Sequence, residues 1–352
     1  MENVTARGGY VVPKHHRILL SVMLMTITLI GISGNTLIFI AYCLSRRLRT
    51  KTNAFLINLA AADILTCVFL PAIALPLLLD VEVPVQPWLN TLCAVNYVAI
   101  WILTSTSIMT LAFIAVNRYI LITKSKKTYE QIYKRKFIFA FLCVSWLHPI
   151  LYVTLQLALG RLLVFGYNEK MHGCTTGLED PRSYWYDIVD FANITLVITM
   201  IVYCYGRIYL RLRRHNKQMQ KGISSNPLWS ERDGGLTNSS RVSQTQVTLT
   251  KNLFYILVAF FICFVPVIIS KAFNVNIIII SYTQVIMSFN CCLNPFIYGM
   301  KHPHFRQVLY YILSRRWSEI PEPAYRWMNS GSHSAIAGSR SNDLDGISLT
   351  VL

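Results

Sequence analysis

From Cys93 to Asn117 the chain reads CAVNYVAIWILTSTSIMTLAFIAVN without one acidic or basic side chain, and the run closes on Arg118-Tyr119. As an α-helix at about 1.5 Å per residue, Cys93–Tyr119 covers roughly 39 Å, enough to cross a hydrocarbon core about 30 Å thick with both ends among headgroups. Thr104, Ser105, Thr106, Ser107 and Thr110 stud its middle, where a lipid-facing helix would carry Leu and Phe. Hydroxyls there suit a helix enclosed by others and hydrogen-bonded to them. The stretch reads as the central helix of a membrane bundle.

The rest of the chain agrees. Over 352 residues the hydrophobic fraction is 54% and the charged fraction 14%, which excludes an ordinary soluble domain. Seven apolar spans can be drawn: Ile18–Leu44, Asn53–Leu79, Leu92–Ile122, Phe137–Leu159, Tyr184–Leu210, Val247–Ile269 and Ile277–Met300. The net charge of +17 invites a nucleic-acid reading, but the basic residues sit in short segments between spans. Arg46, Arg47, Arg49 and Lys51 follow span one, Lys124, Lys126, Lys127, Lys134, Arg135 and Lys136 follow span three, and Arg211, Arg213, Arg214, Lys217 and Lys221 follow span five. By the positive-inside rule the N-terminus lies outside and the C-terminus inside. The expected fold is therefore an all-α membrane protein, a seven-transmembrane helix bundle in the plasma membrane. Residues 1–17 form an outside tail, with Asn3 a glycosylation acceptor, and 18–300 the bundle. The first run lacks a cleavage site and reads as an uncleaved first helix. Gly222–Ser243 reads as a flexible loop. Residues 301–314 place Phe305, Val308, Leu309, Ile312 and Leu313 at helical spacing, an amphipathic eighth helix on the inner leaflet, and 315–352 read as a disordered tail. Nine cysteines show no zinc or redox spacing.

Four features carry function. Cys93, at the outer end of span three, has Cys174 as its partner for a disulfide on the oxidising side. Asp63, deep in span two, is costly in a membrane and calls for partners; Asn35, Ser107, Asn290 and Asn294 are the candidates. Their hard oxygens suit a sodium ion as the one non-protein component, against a purely structural hydrogen-bond network. Pro266 and Pro295 remove backbone hydrogen bonds and kink spans six and seven. No Ser/His/Asp set, paired carboxylates or phosphate loop stands in a place that suits catalysis, so an enzyme is not expected.

Taken together, Gly34-Asn35, Asn58 to Asp63, Cys93 with Asn117-Arg118-Tyr119, Trp146, Tyr205, Cys263-Phe264-x-Pro266 and Asn294-Pro295-x-x-Tyr298 resemble the signature set of the rhodopsin-like (class A) G-protein-coupled receptors. The resemblance implies that Arg118 and Tyr119 face a heterotrimeric G protein, that Tyr205 and Tyr298 line the activation path, and that Asp63 centres a sodium site. It also implies arrestin as a partner. Asn117 for the commoner acid, with Asn290 to Asn294 and Tyr298-Gly299, is similar to melatonin-type receptors. Val197 and Phe264 depart from the family's proline and tryptophan, and no cysteine follows the eighth helix to carry a lipid anchor.

For a ligand, the outer half offers Asn96, Tyr97, Ile100, Trp101, Thr104, Asp190, Asn193, Phe264, Lys271, Gln284 and Ser288, aromatic walls with a few polar groups suited to a small amphipathic molecule. Asp187 and Asp190 share a helix face; they either turn inward or lie at the interface, where Lys271 can pair with them. By resemblance, Ile100 stands where amine receptors carry an aspartate, and Ser288 where opsins carry the retinal lysine. A transporter or channel and an opsin-like light sensor remain the rival classes. With Asn117 neutral and Ser243–Lys251 free of acids, Arg118 would be restrained by neutral groups such as Gln246 or Thr250, and basal activity raised. Leu349-Thr350-Val351-Leu352 resembles a PDZ-domain ligand.

Overall fold

The computed structural model describes residues 11–79, 87–160, 165–176, 181–225, 255, 258–270, 272–273 and 275–325. Asn3, Lys271, Gln246, Thr250, the side chain of Asp187 and residues 349–352 lie outside them. In chain order come α1 (Lys14–Leu44), α2 (Lys51–Leu78), α3 (Pro87–Thr123), a short α4 (Lys126–Ile132) and α5 (Arg135–Ala158). A hairpin of β1 (Phe165–Asn168) and β2 (Gly173–Thr176) follows, then α6 (Pro181–Ser225), α7 (Val258–Ser270), α8 (Ile277–Ser288), α9 (Asn290–Lys301) and α10 (Pro303–Leu313). Among the described residues six helical spans are long and apolar enough to cross a bilayer, α8 and α9 counting together as Ile277–Met300, with α7 a shorter apolar helix. Leu196 (73% exposed) and Phe139 (69%) belong to the bundle's lipid-facing surface.

Four elements differ from the sequence expectation. The antiparallel hairpin, with Tyr167 opposite Cys174, is a β element in a fold expected to be all helix. α6 continues to Ser225, well beyond Leu210 and into the stretch expected to loop from Gly222. Its added turns are polar and basic and contain no proline; Gly222 weakens the helix without ending it. Span seven is interrupted at Phe289, between α8 and α9, while Pro295 sits inside α9. A proline at 295 leaves the carbonyl of Cys291, four residues earlier, without its helical donor. Asn35 of α1 supplies one: its Nδ2 donates to Cys291 O at 2.8 Å, and to Gly31 O at 2.9 Å. Gly34 makes the approach feasible, because a Cβ there would stand 3.0 Å from Pro295 Cβ. The proline thus docks α9 onto α1.

The tail is the largest departure. α10 buries Phe305, Val308 and Ile312, as its amphipathic pattern requires, and ends with Arg315 in the left-handed region at φ 56°. Arg316 N then donates to Tyr311 O, a closure of the kind that turns a chain off a helix. Residues 317–325, the described part of the stretch expected to be disordered beyond α10, instead fold back across the α1–α2 turn. Arg46 N donates to Glu322 O and Ala324 N to Leu44 O, both at 2.8 Å, Ser45 Oγ donates to Pro321 O at 2.6 Å, and Ile320 is buried in the core. We refer to this segment as the strap. One inserted isoleucine and three strap backbone groups with partners order it.

Candidate functional site

At the hairpin end of the bundle the helices part around a cavity of about 580 Å³. Cys174 in β2 is bonded to Cys93 in α3 with S–S 2.05 Å, which ties the hairpin across the mouth. Met171 and Gly173 of the hairpin line the cavity directly, and Asn90 of α3 accepts from Tyr167 N at 3.0 Å. Asn96, Tyr97, Ile100, Trp101, Thr104, Asp190, Phe264, Gln284 and Ser288 all line it, as the sequence suggested. Asn193 is half-buried outside the lining. Asp190 turns inward and is 7% exposed. Its carboxylate accepts from Trp101 Nε1 at 3.1 Å and from Tyr152 OH at 2.7 Å, while Gln156 Nε2 donates to the Tyr152 hydroxyl at 2.9 Å. The Trp101 and Tyr152 rings stack at 5.1 Å. Tyr152 and Gln156 were missed in the sequence, although two polar side chains four apart on one face of an apolar span are a usable signal.

Below the cavity, Asp63 is 1% exposed and holds two partners. Ser107 Oγ donates to Oδ1 at 3.0 Å and Asn294 Nδ2 to Oδ2 at 2.7 Å, joining α2, α3 and α9. Asn290 is buried nearby in sequence but makes no hydrogen bond to Asp63, and Asn35 is committed to Cys291. A second polar hub stands on Asn58, whose Nδ2 donates to Thr110 Oγ1 at 2.8 Å and Ser145 Oγ at 3.2 Å, and whose Oδ1 accepts from Trp146 Nε1 at 2.9 Å. Buried polar groups are costly unless paired, so these hubs fix the registers of α2, α3, α5 and α9. Phe264, in the cavity wall, stacks on Phe260 at 4.1 Å, and Phe260 is wholly buried one turn further along α7.

At the opposite end, Asn117 does not face Arg118. Its Oδ1 accepts from Thr52 Oγ1 at 3.0 Å and its Nδ2 donates to Tyr129 OH at 3.3 Å, joining α3 to α2 and α4. Arg118 is 3% exposed, with Tyr205 and Tyr129 in electrostatic range. Tyr119 packs against Tyr203 of α6 with centroids 6.2 Å apart. Tyr298 is 2% exposed, and its hydroxyl has no hydrogen-bond partner among the described residues. His302, between α9 and α10, accepts from Phe305 N at 3.4 Å and rests edge-on against Phe305. Burial pushes its pKa down to about 3, helped by the charge of Arg118.

Residues 34–298 match the model of the seven-transmembrane receptors of the rhodopsin family. The chain belongs to that family. It is similar to the melatonin receptor type 1B of Homo sapiens, 26% identical over 346 residues that span 94% of this chain and 85% of that protein. It is also similar to the adenosine receptor A2a of Equus caballus, 27% identical over 355 residues, 92% of this chain and 78% of that one. Squid rhodopsin shares the fold, with a TM-score of 0.69 at 18% identity over 94% of each chain. This rhodopsin-family chain is therefore a G-protein-coupled signalling receptor and not an enzyme. It is a multi-pass protein of the plasma membrane whose partners are a heterotrimeric G protein and an extracellular ligand. In that setting, Pro266 and Phe264 on α7, Pro295 and Tyr298 on α9, and Arg118 on α3 are brought into one bundle between the cavity and the Arg118 end.

Proposed function

We propose that the hairpin end of the receptor faces outside and that its cavity takes a small amphipathic ligand carrying a hydrogen-bond donor. One observation carries this reading: a buried carboxylate, Asp190, held by Trp101 and Tyr152 in the wall of a largely apolar cavity. A few placed polar groups in an apolar pocket fix the orientation of a small molecule. Ligand contact at Phe264 would be felt at Phe260, because the two rings stack, and from there in the packing around Arg118. To test it, purified receptor is screened for thermal stabilisation by small amphipathic molecules. Stabilising compounds should lose their effect on Asp190→Ala and on Trp101→Ala; a compound set that stabilises both variants as well as wild type would refute the site.

The Asp63 site fits a sodium ion as an allosteric modulator. Each carboxylate oxygen accepts a single hydrogen bond and so keeps lone-pair capacity, and Ser107 Oγ adds a third hard oxygen. Asp63, Ser107 and Asn294 would hold the cation, whose charge would favour the resting arrangement of α2, α3 and α9. Raising sodium should then lower agonist affinity in wild type and leave Asp63→Asn unaffected. Raised ligand-free activity is proposed on the ground that the neutral Asn117 stands where the resemblance expects an acid to restrain Arg118. Arrestin, and a PDZ-domain protein at Leu352, complete the proposed partners.

A further inference from the structure

The cations at the Arg118 end are unevenly placed. On α6, Tyr203, Arg207, Arg211 and Arg214 follow one another at helical spacing and form a single stripe. Facing it, α3 ends in Tyr119 and Thr123, followed by Lys124. Between the two lies a cleft of about 150 Å³ lined by Lys124, Arg207, Arg211, Arg214, Tyr119 and Thr123, with no acidic side chain. All four cations are exposed, and among the described residues none has an ion pair or side-chain hydrogen bond. Three other basic residues at this end are engaged: Lys126 pairs with Glu130, Arg49 donates to Cys43 O, and Lys51 sits over the Tyr129 ring.

The depth of the cleft is what identifies its occupant. The apolar run of α6 gives way to these arginines: Ile208, Tyr209 and Leu210 are followed directly by Arg211, Arg213 and Arg214. The same stripe continues inward through Tyr203 and Leu196, both well exposed. Cations above, an aromatic ring at the level of Tyr203 and an aliphatic face beneath are the sequence of environments a phospholipid presents. Arginine forks match phosphate oxygens two at a time, so three arginines and a lysine favour a headgroup with several phosphates over one with a single charge.

We propose that this cleft binds the headgroup of an inner-leaflet lipid carrying several phosphates, of the bisphosphorylated inositol class, with an acyl chain along Tyr203 and Leu196. The assignment rests on the Arg118 end facing the cytosol and is independent of what fills the cavity. Full-length receptor in detergent is titrated with a bisphosphorylated phosphatidylinositol, with phosphatidylserine, and with soluble inositol trisphosphate, bound lipid being counted by native mass spectrometry. Wild type should prefer the bisphosphorylated lipid over phosphatidylserine by about tenfold or more. Arg207→Gln/Arg211→Gln/Arg214→Gln should weaken it about a hundredfold, at roughly fivefold per charge. The charge-keeping Arg207→Lys/Arg211→Lys/Arg214→Lys protein should stay within about tenfold of wild type, and Arg46→Gln/Arg47→Gln should bind as wild type. Equal loss in the Arg46/Arg47 variant, or no preference over phosphatidylserine, would overturn the proposal. Soluble headgroup binding as tightly as the lipid would make this a free-phosphate site and overturn the lipid assignment. Loss of G-protein capture by the Gln variant in pure phosphatidylcholine bilayers would give the cleft to the G protein instead.

Discussion

At the hairpin end, α1, α2, α3, α6, α7 and α8 contribute to the lining of about 580 Å³ of space, whereas at the Arg118 end Phe55, Tyr133, Phe260 and Tyr298 fill the interior with none more than 2% exposed. A helix bundle that leaves a cavity forgoes the dispersion contacts of a filled one. The hairpin end makes up for that with a covalent tie, Cys93–Cys174, and a β-ladder laid across the mouth. The Arg118 end relies on packing, on the hydrogen bonds of Asn117 and on the strap. Covalent order suits a site that must keep its shape. Packed order, with two arrangements close in energy, suits a surface that must change it.

The largest effect should come from breaking the covalent tie. Cys93→Ser or Cys174→Ser should cost about 2–4 kcal/mol and reduce surface expression and ligand binding alike, as measured by surface labelling and radioligand saturation. Normal binding per surface receptor in either variant would mean that the hairpin end does not depend on its disulfide. Next, Ile320→Asp should undock the strap at a cost of about 2 kcal/mol, on the scale of losing one buried aliphatic side chain. Hydrogen exchange at the Arg46 and Ala324 amides should then accelerate tenfold or more, on the order expected for a segment released to local opening. Protection unchanged from wild type would show that the strap is held by something other than Ile320.

Two smaller tests sharpen the view of the Arg118 end. An unpaired buried hydroxyl costs about 1–3 kcal/mol, so Tyr298→Phe should raise thermal stability by about 1 kcal/mol and lower ligand-free G-protein signalling. A fall in stability would mean that the hydroxyl is satisfied. The last concerns acid. His302 binds its proton far less readily in the folded chain than in the unfolded one, where its pKa is about 6.5. Its contribution is therefore complete above that value and is lost as pH falls toward 3, by about 1 kcal/mol between neutrality and pH 5.5. His302→Asn keeps a capping side chain and should remove this acid sensitivity from the melting curve. Identical slopes in both proteins would exclude His302 as the titrating group.

Much of the fold was legible because an uncharged run of twenty-odd residues, repeated along a chain this apolar, can do little but cross a membrane. Asp63 with Ser107 and Asn294 was legible on similar grounds, since a carboxylate in the membrane must find donors and few exist. Asn290 shows the limit: residue type and neighbourhood are not direction, and its side chain is not on Asp63. The strap was hidden because Ile320-Pro321-Glu322-Pro323 offers a single apolar residue, and its hydrogen bonds run through backbone groups that every sequence has. The hairpin was hidden too; Phe165–Asn168 and Gly173–Thr176 are too short for a periodic signal. Asn117 stands next to Arg118 in sequence, but its partners, Thr52 and Tyr129, lie against another face of α3, and no periodic signal names them.

The division of labour between the two ends is tested most directly by measuring ligand binding and nucleotide exchange on one G protein with the same purified receptor in nanodiscs. Asp190→Asn should move the binding and exchange curves together to higher ligand concentration. Arg118→Ala should leave binding within about threefold of wild type, a shift under 1 kcal/mol, and remove exchange. Exchange that survives Arg118→Ala, or binding and exchange curves that Asp190→Asn leaves in place, would contradict it.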